Sequence, residues 1–237
     1  MRLPLFPLHA VLFPHLPLPI HCFEERYRIM AGDVMAQGSP FAGRFAVSMI
    51  TSGSDIGEQP ETEGIGTICE VRSAERFTDG RWLLLVAGEQ RARITVVDWS
   101  PMYAIATVHP IVELAGDGAV GLVIEAQRRL DAYLASVKRF VVRGASVGVS
   151  ANERGGMSAS LDEILKPVVL PAEPVAASYA VAGILQIELS RKQRLLELPD
   201  AASRLRAEIA LLQRESSRSR PASPSGGADG LPFAPGR

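Results

Sequence analysis

The sequence predicts an α+β fold in which the strands come first along the chain and the helices follow. Between residues 44 and 110, short runs rich in Val, Ile, Leu and Thr alternate with turn signals. Between residues 120 and 215, apolar side chains recur at helical spacing. Hydrophobic residues make up 47% of the 237 residues and charged residues 22%, which is the balance of a globular protein with a sizeable core.

The first region is predicted to be mainly β. Because no helix separates these runs, an antiparallel meander or barrel is expected. Within Arg91–Val97, arginine and threonine alternate with small and apolar residues, which is typical of a strand with one wet face. The predicted strands are Arg44–Ile50, Gly64–Arg72, Arg81–Gly88, Gln90–Trp99 and Met102–Pro110.

One helix and one long loop interrupt this region. The helix is predicted over Glu24–Ala36 and ends before Gly38; Phe23, Tyr27, Met30 and Val34 follow helical spacing. Thr51–Glu63 is polar, acidic and long for a hairpin connection. It is either a tolerated insertion or a loop that contacts a partner.

The second region is predicted to be a helical bundle with short connections. Capping signals precede three of its helices: Ser160 with Glu163, Ser190 with Gln193, and Asp200. Pro174 suits the first turn of another helix. The predicted helices are Val120–Val142, Leu161–Leu165, Val175–Ile187, a short one that ends at Pro199, and Ala201–Glu215, and Val147–Ala159 is read as a linker.

This organisation divides the chain into three parts. Residues 1–115 form the predicted β subdomain and residues 116–215 the helical subdomain. Residues 216–237 are rich in Ser, Pro and Gly and are predicted to be a disordered tail.

Composition excludes several functional classes. The net charge is −1, and residues 1–110 carry nine Lys and Arg against twelve Asp and Glu, which argues against a nonspecific nucleic-acid binder. No apolar run approaches the roughly 18 residues of a membrane span. The prolines of the first 23 residues would break a signal-peptide helix. With only Cys22 and Cys69 as thiols, a cytoplasmic protein with reduced, buried cysteines is expected.

No catalytic or metal-binding pattern is present in the sequence. A phosphate-binding P-loop, a G-x-S-x-G elbow and an H-E-x-x-H motif are all absent. His9, His15 and His21 recur every six residues before Cys22, but this spacing is not that of a structural zinc site. No catalytic residue, metal or cofactor is therefore predicted.

The start of the chain carries the most specific pattern. It reads Leu3-Pro4-Leu5-Phe6-Pro7-Leu8, then Leu12-Phe13-Pro14, Leu18-Pro19-Ile20 and Phe23-Glu24-Glu25-Arg26-Tyr27-Arg28-Ile29-Met30. Further matches are Gly66-Thr67, Asp79-Gly80-Arg81, Gly88-Glu89-Gln90-Arg91-Ala92-Arg93-Ile94, Lys192-Gln193-Arg194-Leu195-Leu196-Glu197 and Arg204-Leu205. This order of motifs, over about residues 3–215, resembles the N-terminal domain of Lon proteases.

The resemblance implies a PUA-like β-pseudobarrel followed by a helical bundle, in agreement with the division above. It also implies a noncatalytic module that contributes to the capture of polypeptide substrates. The expected form is a stand-alone substrate-binding-domain protein without ATPase or peptidase parts, of undefined oligomeric state, which acts alone or as an adaptor or regulator of a protease complex.

For most of the matching residues a structural role is expected, with Phe23, Tyr27 and Met30 holding a helix against the barrel. Glu24 or Glu25 is expected to pair with Arg91 or Arg93. The residues of the family signature are Pro4, Phe6, Pro7, Pro14, Phe23, Glu24, Arg26, Tyr27, Gly66, Gly80, Gly88 and Arg91.

A bound peptide would add to a barrel edge or lie in an apolar groove between barrel and bundle. Phe13, Phe77 and Trp82 are the candidate contacts. Two alternatives stay open. A PUA-like fold also suggests RNA binding if Arg72, Arg76, Arg81, Arg91 and Arg93 form a local cluster. The other is an enzyme acting on a small molecule in the barrel–bundle cleft.

Overall fold

The computed structural model describes residues 1–53, 59–99, 102–145 and 167–218. The predicted linker at 147–159, the helix Leu161–Leu165 with its capping box, nearly all of the predicted tail and part of the acidic loop lie outside these residues.

Seven strands form a mixed sheet that curls into a pseudobarrel. The β1 strand pairs antiparallel with β7 and parallel with β3, so that the strand order β1-β7-β6-β5-β3 returns to β1. The predicted antiparallel meander is confirmed for β5, β6 and β7. The strands are β1 (Arg2–Leu8), β2 (Pro17–Cys22), β3 (Arg44–Ser52), β4 (Glu61–Thr62), β5 (Ile65–Arg76), β6 (Trp82–Asp98) and β7 (Ile105–Pro110).

The first two strands were not predicted, because proline cannot donate a hydrogen bond to a ladder. The structure accommodates the prolines by position. The β1 strand pairs with β7 over Arg2–Pro4 and with β3 over Leu5–Leu8, so no proline is paired on both sides. In β2, Pro17 and Pro19 alternate along a strand that pairs with β6 alone among the described strands.

The β6 strand is one continuous element where the sequence predicted two. Gly88 and Gln90 stay in the ladder with β5, although the register shifts between Ile68 and Cys69. A second shift in the pairing with β7 lies at Val96, whose φ is 45°. These bulges let one strand of 17 residues bend around the sheet and pair with three neighbours.

Five helices are described. They are α1 (Glu25–Met35), α2 (Ala119–Ala145), α3 (Pro174–Ile184), α4 (Leu189–Glu197) and α5 (Ala201–Arg218).

Capping explains where the later helices begin. The Glu173 carboxylate accepts from the backbone N–H of Val175 and Ala176, and Asp200 accepts from Ser203 at 2.7 Å. The predicted capping box at Ser190 is wrong, because α4 starts at Leu189. Gln193 is buried instead and donates to the carbonyl oxygen of Ile65 in the sheet.

The core has three clusters. One lies between α1 and the sheet and contains Tyr27, Met30 and Val34, as their helical spacing predicts. A second fills the helical region and takes in Phe13 from the loop after β1. The third lies within the barrel around Leu5.

Phe23 departs from the prediction. The first turn of α1 begins at Glu25, so Phe23 lies before the helix, and its side chain is 49% exposed instead of packing under α1.

Candidate functional site

The outer face of the β2–β6 pair carries large apolar side chains that face solvent. Phe23, Leu83 and Leu85 are 49%, 40% and 42% exposed. Together with neighbouring Pro19, His21 and Phe77 they form a surface that we call the outer patch. Contiguous exposed apolar surface on a folded protein marks a binding site more often than scattered exposed residues do.

Strand alternation places these side chains together. Leu84 and Val86 point into the core and are fully buried, so Leu83 and Leu85 point outward. In the antiparallel register, Leu83 lies opposite His21 and Leu85 opposite Pro19. Directly opposed residues share one face of a sheet, and the patch therefore crosses both strands.

Aromatic rings extend the outer patch toward the β5–β6 turn. The ring centroids of His21 and Phe23 lie 5.8 Å apart, and those of His21 and Phe77 lie 6.4 Å apart, nearly edge to face. The Arg81 guanidinium lies 5.8 Å from the Phe77 centroid. The patch is therefore an aromatic and aliphatic surface, and the arginine at its rim is paired with Asp79.

The turn that carries Phe77 is fixed by hydrogen bonds. The Phe77 N–H donates to the Arg81 carbonyl at 2.9 Å, and Gly80 supplies a φ of 85°. The backbone N–H and the guanidinium of Arg81 both donate to Asp79, which holds the pKa of that carboxyl below its usual range. Phe77 is thus presented on a preorganised turn.

The edge beside the outer patch is closed to strand addition. Pro17 and Pro19 have no N–H group to offer an incoming strand, and prolines at edge positions block such pairing. Of the two peptide-binding modes predicted, addition of a strand at β2 therefore lacks the donors that it needs.

A second constellation joins the sheet to the helices. Arg91 of β6 is 2% exposed and donates from Nε to Glu113 at 2.8 Å. Its Nη groups donate to the carbonyl oxygens of Leu196 and Pro199, both at 2.9 Å, and also to that of Leu198. Arg91 thus satisfies the carbonyls that the end of α4 leaves unpaired.

Arg204 of α5 completes this network from the other side. It donates to the carbonyl oxygen of Leu195 at 3.1 Å and to the Tyr179 hydroxyl at 3.0 Å, and its guanidinium stacks 3.9 Å from the Tyr179 centroid. Tyr179 in turn donates to Glu113 at 2.7 Å. Burial raises the pKa of Tyr179, so its hydroxyl keeps its proton and donates. The network therefore has a structural role, because it holds the sheet and the helices together.

Burial raises the pKa of other titratable groups in the core. Burial raises the pKa of Cys22 to about 12 and also raises that of Cys69, so neither thiol is a nucleophile at neutral pH. Glu208 of α5 is fully buried, and neither of its oxygens has a hydrogen-bond partner. Burial raises its pKa well above the usual range, and the nearby Arg204 guanidinium opposes this shift.

The structure separates the three aromatic residues predicted to contact a peptide. Phe77 lies in the outer patch. Trp82 is half-buried on the opposite face of β6, where it packs against the cluster under α1 and lies beneath the Arg76 guanidinium. Phe13 is 2% exposed, and its ring packs 6.1 Å from that of Tyr179, so it offers no surface to a ligand.

Most residues of the signature are buried. The rings of Phe6 and Tyr27 lie 4.2 Å apart, and the Arg26 guanidinium lies 4.7 Å from the Tyr27 centroid. A Cβ on Gly66 would lie 2.8 Å from Ile94 Cδ1, and one on Gly88 would collide with the Phe13 carbonyl. Pro4, Pro7 and Pro14 lie in buried chain at the start of the fold.

The predicted ion pair between α1 and the sheet is wrong. Glu24 pairs with Arg26 at 3.2 Å, two residues along its own segment. Arg91 pairs with Glu113 instead, because β6 turns this side chain toward the helices and away from α1. Glu113 follows β7 in an irregular segment, and nothing in the sequence around it marked it as a partner.

The arginines considered for RNA binding do not form a free basic cluster. Arg72 pairs with Glu70 at 2.8 Å and Arg81 with Asp79 at 2.7 Å. Arg91 is buried. Phosphate contacts need accessible cations, so the described barrel offers little for a polyanion.

Metal ligation and membrane crossing both lack support among the described residues. No three side chains of His, Cys, Asp and Glu come together as ligands for a metal ion in this part of the chain. None of the described helices has the length and apolar character to cross a bilayer.

The family model described as the ATP-dependent protease La (LON) substrate-binding domain matches residues 2–214. A Lon protease of Trichlorobacter lovleyi is 25% identical over 219 residues, which are 90% of this chain and 24% of that protein. Lon protease 2 of Herpetosiphon aurantiacus is 29% identical over 221 residues, 91% of this chain and 24% of that protein. The chain thus spans about a quarter of the length of these relatives.

Two solved structures share the fold. The N-terminal domain of the Mycobacterium avium complex Lon protease superposes with a TM-score of 0.61 at 18% identity, covering 90% of this chain and 98% of that one. The Lon N-terminal domain protein from Xanthomonas campestris gives a TM-score of 0.56 at 21% identity, covering 89% and 98%. With the family model covering nearly all of the described residues, the chain belongs to the Lon substrate-binding domain family.

Proposed function

We propose that this chain captures unfolded polypeptide on the outer patch and performs no chemistry of its own. The observation that carries the proposal is the set of three large apolar side chains that are each at least 40% exposed: Leu83 and Leu85 on the outer face of β6, and Phe23 directly after β2. Unfolded chains expose leucine and aromatic side chains that folded proteins bury, and such side chains are the natural ligand for this surface.

The proline-containing edge of β2 determines how a polypeptide could bind the outer patch. Because Pro17 and Pro19 deny the ligand backbone its hydrogen bonds along β2, recognition rests on side-chain contacts. Such contacts depend little on sequence order, which suits a module that accepts many unfolded segments. Phe77 supplies an edge-on ring at one end of the patch, and Trp82 underlies the patch from the inner face of β6.

Family membership supports this reading, since the matching family model describes a substrate-binding domain. We propose further that the chain delivers bound polypeptide to proteolysis, as an adaptor or regulator or as part of the protease itself. We also propose that it acts in the cytoplasm. No observation favours RNA as the ligand, given that Arg72 and Arg81 are paired with acids and Arg91 is buried.

Fluorescence anisotropy with a short labelled peptide of leucine, phenylalanine, serine and glycine tests the proposal. In the variant Leu83→Ser/Leu85→Ser, affinity should fall about tenfold, because two apolar contacts are lost. The unfolding midpoint should change little, since both side chains already face solvent.

The matched control is Val112→Ser/Val169→Ser, which removes two exposed apolar side chains outside the patch, at 75% and 82% exposure. Its affinity should equal that of the parent protein. Equal affinities for the patch variant and the parent would reject the outer patch as the binding site.

A further inference from the structure

A groove between the last two helices combines an apolar floor with a ring of arginines. It lies between α4 and α5 and has a volume of about 450 Å³. Its lining residues are Arg191, Arg194, Leu195, Leu198, Ala207, Ala210, Leu211 and Arg214.

Helical spacing on both elements builds the groove. Ala207, Ala210, Leu211 and Arg214 follow each other at three- and four-residue steps, which places them on one face of α5. The same steps relate Arg191, Arg194 and Leu195 on α4 to Leu198, the residue that follows this helix. Two small alanines on α5 leave open the space that a longer side chain would fill.

The charges at the groove are free to meet a ligand. No described carboxylate lies within ion-pair distance of Arg194 or Arg214, and Arg191 reaches only the exposed Glu188, at 3.8 Å. Residues 189–218 carry seven Lys and Arg against four Asp and Glu, whereas the whole chain has a net charge of −1. Arg204 and Glu208 are both buried, and with this pair set aside the remaining charges still make the two helices a local centre of positive charge.

We propose that this groove binds an acidic, apolar polypeptide segment, with leucine-like side chains on the floor and carboxylates against the three arginines. Guanidinium groups match carboxylates in shape and donor geometry. An uncharged apolar segment would contact the apolar floor of the groove, but it would leave the arginines without hydrogen-bond acceptors. The groove therefore selects for acidic segments, in contrast to the outer patch, whose ligand needs no charge.

The experiment compares two labelled peptides by fluorescence anisotropy. One carries leucine and glutamate at helical spacing, and the other has glutamine in place of every glutamate. The parent protein should bind the glutamate peptide more tightly, and raising the ionic strength should abolish the difference. Equal affinity for the two peptides at low ionic strength would overturn the proposal.

Two variants locate the site. Arg194→Gln/Arg214→Gln should weaken binding of the glutamate peptide about fivefold, the sum of two partly exposed ion pairs. Ala210→Phe should weaken binding of the same peptide by filling the floor without changing any charge. Both changes lie on partly exposed helix faces, and circular dichroism checks that the helices remain.

Arg128→Gln on α2 is the matched control, because Arg128 is 75% exposed and does not line the groove. If Arg128→Gln weakens binding as much as the groove variants do, general electrostatic attraction explains the binding, and a specific site at the groove is rejected. The outer-patch variant Leu83→Ser/Leu85→Ser should leave the difference in affinity between the glutamate and glutamine peptides unchanged. The experiments therefore distinguish a failure of the groove proposal from a failure of the outer-patch proposal.

Discussion

Nη2 of Arg91, a residue of the sheet, lies 2.9 Å from the carbonyl oxygen of Pro199, in the turn between α4 and α5. The two residues are 108 positions apart in sequence. Arg91 thus connects the sheet to the helices from a buried position. Its guanidinium also donates hydrogen bonds to Glu113 and to two further carbonyl oxygens.

Removing this bridge should destabilise the protein strongly. In Arg91→Ala, the Glu113 carboxylate and three carbonyl oxygens lose their donor in a buried site, at a cost of about 3–5 kcal/mol. Urea denaturation measures the free energy of unfolding. Arg93→Ala is the control, because Arg93 lies two residues along the same strand and is exposed. A loss as small as that of the control would contradict the role assigned to Arg91.

Gly88 should not tolerate a methyl group. A Cβ at this position would collide with the Phe13 carbonyl and lie 3.0 Å from Pro14 Cα, both in backbone that cannot easily move. Gly88→Ala should therefore lower the free energy of unfolding by about 1–3 kcal/mol. At Gly64 a Cβ would meet nothing within 4 Å. Gly64→Ala should be near neutral, and equal effects of the two substitutions in thermal unfolding would count against this account.

Glu208 should make the protein less stable as pH rises. Burial raises the pKa of Glu208 in the folded state, and the Arg204 guanidinium offsets this effect only in part. Above the ordinary carboxyl pKa of about 4.3, the unfolded chain releases this proton while the folded chain keeps it. Stability should therefore fall with pH from there up to the folded-state pKa.

Glu208→Gln keeps the shape of the side chain and removes its titration. Relative to this variant, the parent protein should lose up to about 1.4 kcal/mol per pH unit within that window. Urea denaturation at a series of pH values from about 5 upward gives the comparison. Glu188→Gln, at a side chain 77% exposed, serves as the control. Parallel pH curves for the parent and Glu208→Gln would show that Glu208 ionises freely in the fold.

The sequence predicted the order of strands and helices well, because periodicity and capping are local properties. The apolar spacing of Tyr27, Met30 and Val34 placed the inner face of α1, and Asp200 marked the start of α5. The division at about residue 115 into two subdomains stays a prediction.

Other features depend on pairing partners that are distant in sequence. The strands β1 and β2 were missed because their prolines are tolerated only where the residue pairs with a neighbouring strand on one side. Glu113 could not be matched to Arg91 until the end of α4 was brought beside β6. The outer patch was also hidden, since Leu83 and Leu85 look like core residues until the burial of Leu84 and Val86 fixes which face is wet.

The pairing of β1 with both β3 and β7 has a consequence for synthesis on the ribosome. Arg2 can pair with Thr107 only after Thr107 has been synthesised. In contrast, β5 and β6 are neighbours in sequence and can pair early. Closing so long a loop costs chain entropy before any contact repays it, which slows folding. The acceptors of Arg91 emerge later still, at Leu196 to Pro199. The nascent chain therefore acquires its closed sheet late and its link to the helices last.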